Sequence, residues 1–248
     1  MKSRFALIAA TAAGLLAASY TVTLAAQATP PDIAAAIADA SRPQAQKDVD
    51  ALRKPAELMT FAGVKRGDKV VELVPGGGYV TRIISKIVGP TGKVYAVNLP
   101  TFNERFKAGL DPIKSDPGFA NLVVLEQRYI DMTFPEPVDV VWTSENYHDF
   151  QNQGMFSTDT ATMNKAVFAA LKPGGVYIVT DYPGAAGTGK TQTQSLHRID
   201  PAVIKQEVTA AGFVLEAESN ALANPSDILT TRSGQPSTQV LYKFRKPR

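Results

Sequence analysis

One stretch of the sequence decides the predicted fold: Val70-Val71-Glu72-Leu73-Val74-Pro75-Gly76-Gly77-Gly78-Tyr79-Val80. An apolar run leads into consecutive glycines, and apolar residues then resume with helical spacing, which predicts a strand, a tight turn and a helix. Residues without Cβ let backbone N–H groups approach a ligand, and the start of a helix favours electron-rich groups. Glu72 ends the predicted strand and is placed to accept hydrogen bonds from ligand hydroxyl or ammonium groups. The alternative is a turn that only packs a helix onto a sheet.

The rest of the chain continues this alternation of strands and helices. The predicted strands are 69–74, 93–97, 122–125, 138–143, 176–180, 213–218 and 239–244, and the predicted helices are 43–61, 79–88, 101–108, 159–171 and 201–211. Continuous apolar strands that alternate with helices predict a parallel sheet covered on both faces. Ligands of such sheets bind at the carboxyl ends of the strands. The helix over 43–61 is expected to lie beside this pocket or to cover it.

The amino-terminal segment predicts export. Lys2 and Arg4 precede an apolar run over residues 5–18, and small residues follow near Ala28. This pattern is typical of a secretory signal peptide, here residues 1–28, and predicts a periplasmic or secreted protein. An uncleaved anchor is the alternative, although the apolar run is short for a membrane span. Residues 29–42 form a lead-in segment, and residues 43–248 form the main domain.

Charge and cysteine content restrict the possible partners. Without Lys2 and Arg4 the chain has 24 basic and 23 acidic residues, so its net charge is near +1. This balance gives no basis for binding nucleic-acid phosphates, and we expect no nucleic-acid partner and no membrane contact after signal cleavage. The chain has no cysteine, which excludes disulfides and thiolate metal sites. The oligomeric state stays open.

Several segments resemble class I S-adenosylmethionine-dependent methyltransferases, and more closely a group of exported bacterial methyltransferase-like proteins. The resemblance runs from about Pro43 to the end of the chain. Its segments are Arg53-Lys54-Pro55-Ala56-Glu57, Glu72-Leu73-Val74-Pro75-Gly76-Gly77-Gly78-Tyr79, Gly89-Pro90-Thr91-Gly92-Lys93-Val94-Tyr95-Ala96-Val97-Asn98, Tyr147-His148-Asp149, Leu171-Lys172-Pro173-Gly174-Gly175 and Leu196-His197-Arg198-Ile199-Asp200-Pro201. The resemblance implies a three-layer, Rossmann-like α/β fold. Its seven-stranded sheet would be mostly parallel, with an antiparallel carboxyl-terminal hairpin.

The same resemblance implies S-adenosyl-L-methionine as cofactor. Gly76 and Gly78 match the second and third glycines of the family's turn, while Val74 replaces the first. These two glycines would leave room for the methionine part of the cofactor, and Glu72 would reach its amino group. The predicted cofactor-binding residues are Glu72, Pro75, Gly76, Gly77, Gly78, Asn98, Arg128, Asp131 and Ser144.

Two further positions depart from the family pattern. Asn98 ends the second strand, where the family usually has an acidic residue that accepts from both ribose hydroxyls. An amide accepts only through its oxygen, so we expect weaker ribose binding. After the third strand the family often has an acid near the adenine amino group. This chain has Gln127 and Arg128 there, and Asp131 is the expected substitute.

Both histidines of the chain fall on loops at the predicted ligand-binding edge. His148 follows the fourth strand and His197 follows the fifth. Methyl transfer from a sulfonium requires a nucleophile that is positioned and deprotonated. His148 is the candidate general base, and Asp149 or Asp181 would orient its ring. For either histidine the alternative is that it only orders a loop.

Neighbouring side chains complete the candidate catalytic set, which is His148, Tyr147, Asp149, His197 and Arg198. Tyr147 either lines the methyl channel or packs in the core. Asp200 and Pro201 predict a helix start, which leaves Arg198 available to bind a substrate carboxylate in bidentate fashion.

These residues lead to one main hypothesis and two alternatives. The main hypothesis is an exported methyltransferase that acts on a small molecule, whose identity the sequence does not give. The first alternative is a non-enzymatic ligand-binding protein of the same fold. The second is a metal-assisted hydrolase or lyase that uses His148 and His197, with Glu145, Asp149 and Asp181 as further candidate ligands. No ligand spacing in the sequence supports this second alternative, so no metal is predicted.

Overall fold

The computed structural model describes residues 29–234 and 236–248, except for the side chain of Arg105. The predicted signal peptide, residues 1–28, lies outside this range, and its cleavage and the export of the chain stay predictions. Within the described range, no helix has the length and apolar character needed to cross a membrane.

The seven predicted strands form one sheet. They are β1 (Lys69–Leu73), β2 (Lys93–Asn98), β3 (Leu122–Glu126), β4 (Val138–Ser144), β5 (Leu171–Asp181), β6 (Val214–Ser219) and β7 (Val240–Arg245). The strand order is β3-β2-β1-β4-β5-β7-β6. Strands β1 to β5 pair in parallel, and β7 is antiparallel to both β5 and β6. The predicted mostly parallel sheet with antiparallel carboxyl-terminal strands is confirmed.

Helices cover both faces of this sheet. They are α1 (Pro31–Ala38), α2 (Gln44–Lys47), α3 (Asp50–Arg53), α4 (Pro55–Ala62), α5 (Tyr79–Val88), α6 (Glu104–Lys107), α7 (Asp111–Lys114), α8 (Thr160–Ala170), α9 (Thr193–Leu196) and α10 (Pro201–Ala210). Helices α1, α4 and α5 share one apolar cluster with the sheet, and α8 and α10 share another on the opposite face. The result is the predicted three-layer arrangement.

Strand β1 shows why the central strands have continuous apolar runs. Val71 and Leu73 pack into the cluster beneath α8 and α10, whereas Val70 packs into the cluster beneath α5. Successive side chains of a strand point to opposite faces, so a strand covered on both sides needs apolar residues at every position. The polar residues of β1 are Lys69, which is half-buried at its amino end, and Glu72, which is buried near the carboxyl edge of the sheet.

Three predicted elements differ from the structure by more than one residue at a boundary. The helix predicted over 43–61 consists of α2, α3 and α4, because Lys54 precedes Pro55 and adopts a left-handed conformation (φ 44°) that ends α3. The helix predicted over 101–108 is shortened to α6, which begins after the capping residue Asn103. Strand β5 begins at Leu171, because Leu171 pairs with Val138 ahead of an irregularity in the β4–β5 register.

The lead-in segment also belongs to the folded unit. Helix α1 lies within residues 29–42, and its Ile33 and Ala36 are buried in the same cluster as residues of α4 and α5. Burial of these two side chains anchors the segment to the helical layer that covers β1.

Two glycines of the turn differ in their packing, and substituting each by alanine tests this difference. Gly78 has a φ of 73°, and a Cβ there would lie 2.1 Å from Ile113 Cδ1. We expect Gly78→Ala to lower the free energy of unfolding by about 1–3 kcal/mol, because it combines a left-handed backbone with a steric clash. Urea unfolding of the two proteins measures this difference.

Gly77→Ala is the control for this prediction. A Cβ at Gly77 would have no atom within 4 Å, and its φ is not in the left-handed region. We expect its free energy of unfolding to stay within about 0.5 kcal/mol of the wild type. Equal losses in the two variants would contradict the assigned packing role of Gly78.

Candidate functional site

The carboxyl ends of the parallel strands bring the candidate residues to one edge of the sheet. The turn after β1 lies between the ends of β2 and β4, because β1 pairs with both strands. Asn98 ends β2, the loop with Tyr147, His148 and Asp149 follows β4, and Asp181 ends β5. The sheet therefore places a glycine turn and a histidine loop side by side, as the sequence predicts.

The glycine turn alternates left-handed residues with ordinary ones. Val74, Gly76 and Gly78 have φ values of 56°, 55° and 73°. Val74 therefore adopts a backbone conformation that disfavours a β-branched side chain. Its side chain is only 8% exposed and packs in the core cluster, so it does not fill the space above the turn.

Open space borders the middle of the turn. A Cβ at Gly76 or Gly77 would have no atom within 4 Å. Next to this turn, Asn98 is only 2% exposed, and its side-chain amide has no hydrogen-bond partner among the residues that the structure describes. A bare backbone surface beside an unpartnered buried amide fits a ligand that has hydroxyl groups.

Glu72 is a buried acid beneath the turn. Its carboxylate accepts a hydrogen bond from Thr81 Oγ1 at 2.5 Å. Burial raises the pKa of Glu72 to about 8 and outweighs the opposing effects of the Thr81 hydrogen bond and the Arg53 charge. The carboxyl is therefore mostly neutral at pH 7, and a ligand ammonium group nearby would favour its charged form.

Helices α2 and α3 lie over the glycine turn, as expected for the segment 43–61. Gln46 Nε2 donates to the carbonyl of Gly77 at 3.1 Å, and the Tyr79 hydroxyl donates to Asp50 at 2.6 Å. Arg53 pairs with Glu145 at 2.9 Å, and its guanidinium lies 4.4 Å from the centre of the Tyr79 ring. The sequence pattern did not indicate Gln46 and Asp50 as individual residues, since nothing local relates them to a turn some thirty residues away.

The predicted cofactor residues Arg128, Asp131 and Ser144 follow β3 or end β4 and are not part of the glycine turn. Arg128 and Asp131 are exposed after β3 and form an ion pair with each other. At the ends of β4 and β5, the Oγ of Ser144 and the Oγ1 of Thr180 share a hydrogen bond of 2.8 Å. Asp131 thus already has a cationic partner in this structure, and its expected role near an adenine amino group stays a prediction.

The two histidines and Asp149 form a compact cluster. His148 Nε2 lies 3.1 Å from His197 Nδ1 and 3.3 Å from Asp149 Oδ1, and His197 Nδ1 lies 3.4 Å from the same Asp149 oxygen. On its other side, His148 Nδ1 bonds to Asp181 Oδ1 at 2.7 Å. His197 Nε2 accepts from the guanidinium of Arg232 at 2.6 Å. The sequence pattern did not indicate Arg232, because it lies on a long polar loop without a motif.

The electrostatic surroundings of the two rings differ. Burial lowers the pKa of His148, but the carboxylates of Asp181 and Asp149 outweigh burial and raise this pKa to about 10. Burial lowers the pKa of His197. Only 1% of His148 is exposed and its ring nitrogens face Asp181, Asp149 and His197, and its expected role as a general base stays a prediction.

Two other candidate catalytic residues are occupied by structural contacts. Tyr147 is fully buried, and its hydroxyl donates to Glu207 and accepts from Asn164, so it packs in the core and does not line a channel. Arg198 is also fully buried and makes a bidentate pair with Asp227 at 2.7 and 3.0 Å. The bidentate contact expected for a substrate carboxylate is thus made within the chain.

Glu72 makes the stability of the protein depend on pH. Its pKa is 4.5 in the unfolded chain and about 8 in the folded protein, so the unfolded chain releases this proton first as the pH rises. The protonated Glu72 therefore stabilises the folded protein fully below pH 4.5, and this stabilisation is lost as the pH rises from 4.5 to 8. Above pH 8 it does not change further. We expect Glu72→Gln to match the wild type near pH 4.5 and to be more stable at pH 8. The gap between the two proteins should widen by about 1.4 kcal/mol for each pH unit crossed.

Urea unfolding at both pH values measures this difference. Asp131→Asn is the control, because Asp131 is half exposed in a surface ion pair and should alter stability by less than about 1 kcal/mol at either pH. A Glu72→Gln variant with the same pH dependence as the wild type would contradict the assigned burial of the neutral acid.

Comparison with known proteins agrees with this architecture. No protein-family model matches the chain. A segment of 82 residues is 33% identical to a protein-L-isoaspartate O-methyltransferase of Ignicoccus hospitalis and covers 33% of this chain and 37% of that protein. A segment of 122 residues is 26% identical to a ubiquinone/menaquinone biosynthesis C-methyltransferase of Cronobacter sakazakii, over 49% of this chain and 45% of that protein. The chain thus spans less than half the length of these curated relatives.

A solved structure extends the similarity to most of the chain. A SAM-dependent methyltransferase from Aquifex aeolicus superposes with a TM-score of 0.58 over 83% of this chain and 98% of that protein, at 16% sequence identity. A similarity at this level of identity concerns the fold, and it agrees with the strand order and the antiparallel β7 of this chain. The chain therefore has the Rossmann-like α/β fold of the class I S-adenosylmethionine-dependent methyltransferases.

Proposed function

We propose that this chain is an S-adenosylmethionine-dependent methyltransferase that acts on a small molecule. One observation carries the proposal: the turn after the central strand β1 has open backbone at Gly76 and Gly77 and lies beside the unpartnered amide of Asn98. The proposal places the cofactor on this turn, at the edge of the sheet where ligands of parallel α/β folds bind.

Each part of the cofactor has a counterpart among these residues. The methionine part would lie along Gly76 and Gly77, where its carboxylate meets the backbone at the start of α5. The Asn98 amide would bind the ribose, and the ionised carboxylate of Glu72 would attract the cofactor's ammonium group. The cofactor supplies a methyl group on a sulfonium, and the chain has to hold the acceptor in line with it and keep water out. Helices α2 and α3 already cover the turn and would provide that exclusion.

The relatives support methyl transfer as the activity, but they do not indicate one class of methyl acceptor. Both relatives are named as methyltransferases, one for a protein isoaspartate and one for a step of ubiquinone/menaquinone biosynthesis. Their acceptors thus differ in class. The near-neutral charge of this chain gives no electrostatic reason for a nucleic-acid acceptor, which favours a small molecule. The relatives do not favour the alternatives of a non-enzymatic binding protein or a hydrolase.

The test measures binding of S-adenosylhomocysteine by isothermal titration. We expect the wild type to bind and Gly77→Ala to bind at least about tenfold more weakly, because the added methyl group occupies the backbone surface that the ligand needs. Gly234→Ala is the matched control, since a Cβ at Gly234 also has no atom within 4 Å and lies away from the turn. No binding to the wild type at millimolar ligand would overturn the proposal.

A second prediction concerns the ribose contact. We expect Asn98→Asp to bind S-adenosylhomocysteine more tightly than the wild type, by about tenfold, because a carboxylate accepts from both ribose hydroxyls whereas an amide offers one oxygen. The same titration measures it, together with thermal unfolding, since Asn98 is buried and the new charge destabilises the unliganded protein. A folded Asn98→Asp variant with weaker binding would place the ribose elsewhere.

A further inference from the structure

The cluster of His148, Asp149 and His197 has the geometry of a metal-ligand set. Each residue offers one ligand atom, and the three atoms form a triangle with sides of 3.1, 3.3 and 3.4 Å. A metal ion about 2.1 Å from three ligands holds them roughly 3.0 Å apart in octahedral geometry and roughly 3.4 Å apart in tetrahedral geometry. The observed triangle lies between these two cases.

The hydrogen bonds of His148 orient its ring for metal binding. Its Nδ1–H donates to Asp181 Oδ1 at 2.7 Å, and its Nε2 faces His197 Nδ1 and Asp149 Oδ1. A metal ion would take the place of the proton on Nε2, and the nitrogen lone pair would then bind the metal. Asp181 is fixed in turn, because it accepts the backbone N–H groups of His148 and Tyr182 at 2.6 and 2.8 Å. A carboxylate that holds the second ring nitrogen of a histidine is the usual outer support of a metal ligand.

We propose that these three residues bind one divalent transition-metal ion. Two imidazole nitrogens and one carboxylate oxygen favour zinc, iron(II) or a similar ion over magnesium and calcium, which prefer oxygen ligands. Asp149 and Asp181 supply negative charge on either side of the His148 ring. The proposal is independent of methyl transfer, since metal binding is measured on the protein without any cofactor.

The site has an open side. The side chains of His197 and Asp149 are 28% and 14% exposed, whereas that of His148 is buried. With three protein ligands from the described residues, at least one coordination position is left for water or for an oxygen donor of a small molecule. His197 adopts a left-handed backbone conformation with φ 51°, a conformation that occurs more often at functional sites than elsewhere.

Arg232 would compete with a metal ion for the His197 ring. Its guanidinium donates to His197 Nε2 at 2.6 Å, so the His197 proton then resides on Nδ1, which is the proposed ligand atom. Metal binding through Nδ1 needs the proton on Nε2, and Arg232 has to move away from the ring. Apart from this contact, Arg232 donates through a second guanidinium nitrogen to the carbonyl of Ser195 at 3.3 Å, a weak restraint on an exposed side chain. Arg232 thus acts as a positioning residue for His197.

The test uses the full chain, stripped with a chelator and free of any histidine tag. His148 and His197 are the two histidines of the sequence, and there is no cysteine, so imidazole coordination reports on this cluster alone. Titration with cobalt(II), followed by visible absorption and by calorimetry, is expected to show one equivalent bound with a dissociation constant in the micromolar range or below. Zinc added afterwards should displace the cobalt.

Three variants distinguish the cluster from adventitious binding. His197→Ala should weaken cobalt binding at least about a hundredfold, and Asp181→Asn should weaken it about 10- to 100-fold through the orientation of His148. Arg232→Ala should strengthen it, because the competing hydrogen bond is gone. Glu218→Gln, in a partly exposed ion pair with Lys205 outside the cluster, is the control and should bind as the wild type does.

Loss of metal binding can be distinguished from misfolding and from failure of the proposed function. His197 is partly exposed, so His197→Ala is expected to keep the wild-type circular dichroism, and His197→Gln is a second variant of similar size. Absence of cobalt binding up to about 1 mM, or binding that His197→Ala leaves unchanged, would overturn the metal site. Either result leaves the S-adenosylhomocysteine titration unaffected, and loss of that binding leaves the metal test intact.

Discussion

The hydroxyl group of the buried Tyr129 helps to fix the glycine turn, which is the candidate ligand-binding surface. Tyr129 Oη donates to the carbonyl of Val97 at 3.0 Å and accepts from the backbone N–H of Val74 at 3.2 Å. It thereby ties the end of β2 to the first residue of the turn after β1. A left-handed valine is disfavoured by about 1–3 kcal/mol, and it persists only where its surroundings fix it. Tyr129 and the buried Val74 side chain provide that fixation, so the turn keeps its shape without a glycine at position 74.

The carboxylate of Asp181 plays a comparable part at the other end of the site. It accepts from two backbone N–H groups and from the His148 ring, and so joins the end of β5 to the loop after β4. Tyr182 continues the connection through its hydroxyl, which donates to Glu145 at 2.9 Å. Glu145 also pairs with Arg53 of the covering segment. One chain of polar contacts thus runs from the histidine cluster to the helices over the glycine turn.

This connection gives a physical reason to consider the two candidate sites together. The segment that carries Gln46 and Arg53 borders the space beside Gly76 and Gly77, since Gln46 donates to the Gly77 carbonyl and Arg53 pairs with Glu145 of the β4 loop. A shift of Arg53 would remove one partner of Glu145, which lies three residues before His148 and also accepts from Tyr182 and Gln239. The covering segment therefore contacts both the cofactor edge and the loop that holds the histidines.

The sequence by itself determined the layered fold and the strand–turn–helix at the glycine turn, and it predicted that ligands bind at the carboxyl edge of the sheet. Those features depend on local periodicity and on the rule that parallel strands present ligands at their carboxyl ends. Only the tertiary structure decided what the side chains contact. Tyr147 and Arg198 looked available in the sequence, yet Glu207, Asn164 and Asp227 engage them. Conversely, His148 and His197 are 49 residues apart and meet only because β4 and β5 are neighbours. Spacing along a chain carries no information about such contacts, since side-chain partners are chosen by how distant segments pack.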